Sequence, residues 1–296
     1  MGRRPNIAFP HPFLNASRRL RSGWWVALFM AMLAALLLPL ILLSAQSGGG
    51  VPIWQQALAL LAASVVCQAL RRRPMADLFG AFDARWLAQL ALGGAIGAVL
   101  MLAPALILTM LGLVTWRVAP EGLASLGPAL MLFAAVAITE ELMFRGFVFQ
   151  RFIDGLGAWP AQIIIAAFFV LTHSAALEEA GSLASIAGLN IFIASLMFGF
   201  AYLRTKSLAM PIGIHLMANF VQGGVLGFGV SGGAEQGLLT PSLTGPDWLT
   251  GGAFGLEASA PGLVCVSVAT FALWLWRGRA AFARGSSGPH HGAAGV

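Results

Sequence analysis

Three short segments set ionisable and amide side chains into stretches that are otherwise apolar: Glu140-Glu141-Leu-Met-Phe-Arg145, Phe169-Val-Leu-Thr-His173 and His215-Leu-Met-Ala-Asn219. A carboxylate can take a proton from water, an imidazole can hold or deliver one, and an amide can donate to a developing oxyanion. Together these are the parts that hydrolysis of a peptide bond requires. On a helix Glu141 and Arg145 fall at i, i+4 with the acid N-terminal, the favourable order for an ion pair. Glu140 points about 100° away, which leaves it free for chemistry. The spacing of His215 and Asn219 puts both on one helix face. No Gly-x-Ser-x-Gly elbow appears, so serine chemistry has little support. Glu and two His are legitimate zinc ligands, but no His-Glu-x-x-His occurs, so none of this requires a metal and zinc stays an open alternative.

These groups need elements to hold them, and composition says what kind. Of 296 residues, 58% are hydrophobic and 9% charged, against about 25% charged in soluble chains. A hydrocarbon core about 30 Å thick takes roughly 20 apolar residues to cross. Stretches of that kind fall at approximately 23–45, 53–70, 86–114, 122–153, 159–177, 186–203, 207–226 and 259–276. The expected fold is an all-α polytopic membrane bundle of about eight transmembrane helices. The fourth stretch reads as one long helix projecting beyond the bilayer. If the fourth and fifth stretches form a hairpin turning near Gly155 to Gly157, Glu140 and His173 both lie about 24 Å from the turn and can face each other.

Basic residues set the orientation. Arg3, Arg4, Arg18, Arg19 and Arg21, then Arg71 to Arg73, Arg204 with Lys206, and Arg277, Arg279 and Arg284 all fall on one side of an eight-crossing chain. The opposite connections carry only Arg117. Both termini are therefore expected in the cytoplasm. The division is a basic segment at 1–22, a membrane domain at 23–278 and a disordered tail at 279–296, whose His290 and His291 are a weak metal signal. The net charge of +6 acts as a topology signal and excludes nucleic acid as the natural partner. The run from Trp24 to Ala45 is too long for a signal-peptide core, and Cys67 and Cys265 read as small apolar residues. Gly93-Gly-Ala-Ile-Gly97 suits close helix approach. The Gly-rich stretch 223–255 reads as a lid or a mobile segment.

The three motifs, in this order, resemble those of the type II CAAX prenyl endopeptidases and bacteriocin-processing enzymes, the CPBP family. The resemblance covers 140–219, within a core of about 122–226. It implies an intramembrane endopeptidase in which Glu140 and His173 activate water while His215 and Asn219 stabilise the oxyanion. Glu141 and Arg145 would be the supporting pair, with Arg145 also reaching a substrate carboxylate; Phe169 would pack beside His173. The expected partners are the lipid bilayer and a membrane-anchored protein or peptide substrate, lipidated or CAAX-like. The expected setting is a bacterial inner membrane, and a glutamate-based mechanism is favoured over a metallopeptidase. A non-catalytic scaffold or immunity protein and a proton-coupled transporter are the competing readings, since buried Glu and His also serve proton relays.

Overall fold

The computed structural model of the protein describes residues 12–14 and 19–277. The expected disordered tail with its histidines, and Arg3, Arg4 and Arg18 of the basic segment, lie outside the described residues.

The helices are α1 Ser22–Gln46, α2 Ile53–Leu70, α3 Ala76–Phe79, α4 Ala84–Met110, α5 Leu126–Arg145, α6 Phe147–Leu156, α7 Ala158–Thr172, α8 Ser174–Glu179, α9 Ala184–Thr205, α10 Ala209–Asn219, α11 Asp247–Thr250 and α12 Ala260–Leu275. Five helical stretches are long and apolar enough to cross a membrane: Ser22–Gln46, Ile53–Leu70, Ala76–Met110, Gly122–Leu156 and Gly181–Thr205. The remaining three expected crossings are shorter helices, α7 of 15 residues, α10 of 11 and α12 of 16. Leu36, Leu38, Ile41, Leu42 and Leu43 of α1 and Leu58, Leu61, Val65 and Val66 of α2 are exposed. So much outward apolar surface suits lipid and not water.

Two features depart from the sequence reading. The long element at 122–153 is divided at Gly146, whose ψ of −128° separates α5 from α6. A Cβ there would overlap the Leu142 carbonyl oxygen, so the break needs glycine. The all-α bundle also carries one antiparallel ribbon, β1 Val114–Val118 with β2 Leu239–Leu243, in the register Trp116 opposite Pro241. β2 belongs to the Gly-rich stretch, which is folded as a cap. Its chain is tied down where Leu238 N–H donates to Gly224 O at 2.8 Å and Ala119 N–H donates to Leu238 O at 2.9 Å.

The cores lie between α1, α2, α6, α7 and α9 on one side and between α4, α9, α10 and α12 on the other. Within the second, α4 and α10 meet backbone to backbone. A Cβ on Gly93 would overlap Met210 O, one on Gly97 would overlap Ile214 O, and one on Gly213 would overlap Leu90 O. Small residues permit this approach in an apolar medium, where packing drives helix association. The contact fixes the height and rotation of α10, the helix that carries His215 and Asn219. Gly97→Val should therefore lower stability by about 1–3 kcal/mol or more through overpacking. Thermal unfolding in detergent checks this, and an unchanged midpoint would show that the helices do not need the contact.

Candidate active site

Glu140, Glu141 and Arg145 stand on the last turns of α5, where an apolar helix wall leaves few polar partners. Arg145 is fully buried, and its Nη1 reaches Glu141 Oε1 at 3.3 Å. Its Nη2 donates to Ser195 O at 2.9 Å and to Ser195 Oγ at 2.7 Å on α9. The rings of Phe144, Phe169 and Phe198 enclose the guanidinium at 5.7, 5.1 and 5.0 Å from their centroids. Aromatic faces supply negative potential to a desolvated cation. The i, i+4 pair read from sequence is thus present. With its side chain closed in, however, Arg145 is not among the residues lining the cavity described below, so it is not placed to reach a substrate carboxylate.

Glu141 has a further task. Its Oε1 lies 2.9 Å from His215 Nδ1 on α10, and a carboxylate can only accept here, so the ring proton on this side belongs to Nδ1. Nε2 is then turned towards Glu140, whose Oε2 is 3.7 Å away. Phe198 stacks on the imidazole at 4.9 Å and 12°. One buried carboxylate therefore joins α5 to α10 and fixes the orientation of the histidine.

His173 sits at the junction of α7 and α8, with φ −102° and ψ 10°. Its Nδ1 is 2.7 Å from Phe169 O, the carbonyl one turn earlier, so Nδ1–H donates and Nε2 is left as the acceptor. Phe169 packs at 4.6 Å from the imidazole and edge-on to Phe144. The spacing Phe-x-x-x-His thus supplies both an aromatic wall and a carbonyl anchor.

Glu140, His173, His215 and Asn219 all line one cavity of about 320 Å³. Glu140 keeps 27% of its side-chain surface accessible there, while Glu141 keeps none. Asn219 is the last residue of α10, and a π turn at Phe220–Val225 follows it directly. Four further polar lining residues lay outside the sequence reading: Asn190 of α9, Ser231 and Glu235 of the cap, and Glu257 just after it. Glu257 Oε2 accepts from both Ser231 N–H and Ser231 Oγ–H at 3.0 Å. Burial pushes the Glu257 carboxyl above the usual carboxylate range, against the opposing pull of those donors and of the His173 and His215 imidazoles. Burial raises Glu235 likewise. An acid beside the start of the last apolar stretch was the one available signal for Glu257. Among the described residues no group of three His, Cys, Asp or Glu side chains forms a ligand set for a metal ion.

Residues 122–221 match the family model described as type II CAAX prenyl endopeptidase Rce1-like. The chain carries an Rce1-like domain. The match takes in about a third of the chain and includes Glu140, Glu141, Arg145, His173, His215 and Asn219. No curated protein and no solved structure matches the chain. The matched family is one of CAAX-type membrane proteases, and the several apolar helices of this chain suit a multi-pass membrane protein. Ser231, Glu235 and Glu257 lie beyond the C-terminal limit of the Rce1-like domain, and the cap, with Leu100 and Met101 of α4 and Val266 of α12, completes a cavity that the domain lines in part.

The two Ser231 contacts anchor the cap from outside that domain. Glu257→Ala removes both, and hydrogen exchange at residues 229–233 should then rise by at least tenfold, as expected for charge-assisted bonds worth about 1.5–3 kcal/mol each. Exchange equal to that of the parent would mean that the cap is held elsewhere.

Proposed function

We propose that the protein is an intramembrane endopeptidase of glutamate type, acting on a membrane-anchored protein or peptide. The observation that carries this reading is the shared cavity: three different helices or their ends bring Glu140, His173, His215 and Asn219 to one space inside an apolar bundle. Buried polar groups in such a bundle are costly, and they are retained where they line a functional cavity.

In the proposed reaction Glu140, helped by the free Nε2 of His173, takes a proton from water as its oxygen attacks the scissile carbonyl. The carbonyl π electrons move to oxygen, giving a tetrahedral oxyanion. Asn219 donates its side-chain N–H to that oxyanion. His215 donates from Nε2 when doubly protonated, with the Glu141 carboxylate on its Nδ1 balancing the ring's charge. Collapse restores the carbonyl and breaks the C–N bond, and the proton held by Glu140 or His173 passes to the departing amine. A carboxylic acid and an amine result, and the site returns to its starting protonation. Glu141 and Arg145 act through position: the first holds His215, and the second holds Glu141 and α9.

The asymmetry of Lys and Arg supports placing the basic ends in the cytoplasm of a bacterial inner membrane. The cap then lies on the far side, and the substrate's peptide segment enters the cavity between cap and bundle.

Glu140→Gln keeps size and shape but removes the base. Cleavage of a membrane-anchored reporter should fall by about 10²–10⁴-fold, with the unfolding midpoint close to that of the parent. Cleavage that persists undiminished would take Glu140 out of the reaction. Independently, purified enzyme dialysed against EDTA and 1,10-phenanthroline should retain its activity. Loss that zinc restores would replace the glutamate mechanism with a metal-assisted one.

A further inference from the structure

At the end of the molecule bearing the basic connections lies a second basin, of about 810 Å³, where α1 begins and α2 and α6 end. Arg19, Arg71, Arg72, Arg73 and Arg151 line it, with Asp154 as the one acid. Arg151 is 94% buried, and Asp154 Oδ2 engages only its Nη2, at 3.0 Å. The Phe147 ring centroid lies 5.2 Å from the guanidinium carbon, but Nε and Nη1 are buried without a hydrogen-bond acceptor in the protein. Such guanidinium N–H groups are costly to leave unpaired, so they point to an anion. Arg71 lies over the rings of Trp25 and Phe147 at 5.9 and 5.7 Å, and its Nη1 donates to Gln68 Oε1 at 2.8 Å, which holds the cation in place.

The backbone supports the same conclusion. Arg72 has φ +53° just after the end of α2, a left-handed position usually given to glycine. Ser22, the first residue of α1, also lines the basin, so the positive end of that helix adds to the field. The lower wall is apolar, from Trp25 and Leu70, and Leu70 is 58% exposed on the same side of α2 as Val66. Cations thus sit directly above lipid-facing hydrocarbon.

We infer that this basin is a binding site for the phosphate headgroup of an anionic phospholipid, with the acyl chains lying along the exposed flank of α2. A free phosphate would match the arginines but would make no use of the apolar wall. Topology signalling alone requires neither a walled basin nor a buried guanidinium without an acceptor. Basic pockets between membrane helices are suited to such headgroups.

The full chain, delipidated in detergent, should be titrated with phosphatidylglycerol and separately with phosphatidylcholine, reading retained lipid by native mass spectrometry and the thermal midpoint. Phosphatidylglycerol should be retained and should raise the midpoint. Arg72→Gln with Arg73→Gln, both exposed positions, should weaken it by about 5-fold per arginine. Arg85→Gln with Arg277→Gln removes the same charge outside the basin and should have far less effect. The inference fails if the two lipids are retained equally, if both double variants weaken binding alike, or if inorganic phosphate at the same concentration reproduces the midpoint shift. That last result would assign the basin to a free anion. None of these outcomes bears on the peptidase reading, which rests on the other cavity.

Discussion

The structure depends on one buried carboxylate. Glu141 has no exposed surface and accepts from Arg145 and from His215 through the same oxygen, Oε1. A charge in a medium of low dielectric is tolerated only when opposite charge and hydrogen bonds surround it, and removing one partner is far more damaging than never having had the pair. Arg145 meets that need and passes the constraint on to Ser195 of α9. Three helices are thereby held in one register by groups that cannot rearrange without exposing a bare charge to hydrocarbon.

This arrangement separates two glutamates that are neighbours in sequence. Consecutive residues of a helix differ by about 100° in direction, so Glu141 faces the protein while Glu140 faces the cavity. The first is spent on positioning. The second keeps solvent-accessible surface and stands 3.7 Å from the imidazole that its neighbour orients. In the proposed reaction a single turn of helix would supply both a fixed support and a reactive group, and the rigidity of the support would limit how far the reactive geometry can drift.

The two ends of the bundle are electrically unlike. The cavity under the cap is lined by Glu140, Glu235 and Glu257 without any lysine or arginine, whereas the basin at the other end is lined by five arginines and one aspartate. Anions are repelled by an acid-lined space and attracted by an arginine-lined one. Between them, the glycine contact of α4 with α10 lets the helix bearing His215 and Asn219 sit deep in the bundle. The cap then closes above it.

Much of this was legible in the sequence because bilayer physics limits where polar groups can go. Apolar stretches near 20 residues marked most of the long helices, the i, i+4 spacing marked the Glu141–Arg145 pair, and three isolated polar motifs marked four of the residues that line the cavity. Glycines four apart in α4 correctly marked a close helix approach. Other features depended on contacts between distant residues. Local pattern cannot reveal that Glu141 also holds His215, that Arg145 is sealed by three phenylalanine rings, or that Asn190 and Glu257 face the same space as Glu140. The break at Gly146 escaped notice because hydropathy runs on unchanged through it, and the choice between a folded cap and a mobile segment stayed open because the cap is held partly by hydrogen bonds between segments more than 100 residues apart, as Ala119 to Leu238. The sequence by itself determined which residues are chemically able to act and that they lie within a membrane bundle, since both follow from side-chain type and period. Only the tertiary structure decided which of them meet, because that depends on helix rotation and depth set by packing between elements far apart in the chain.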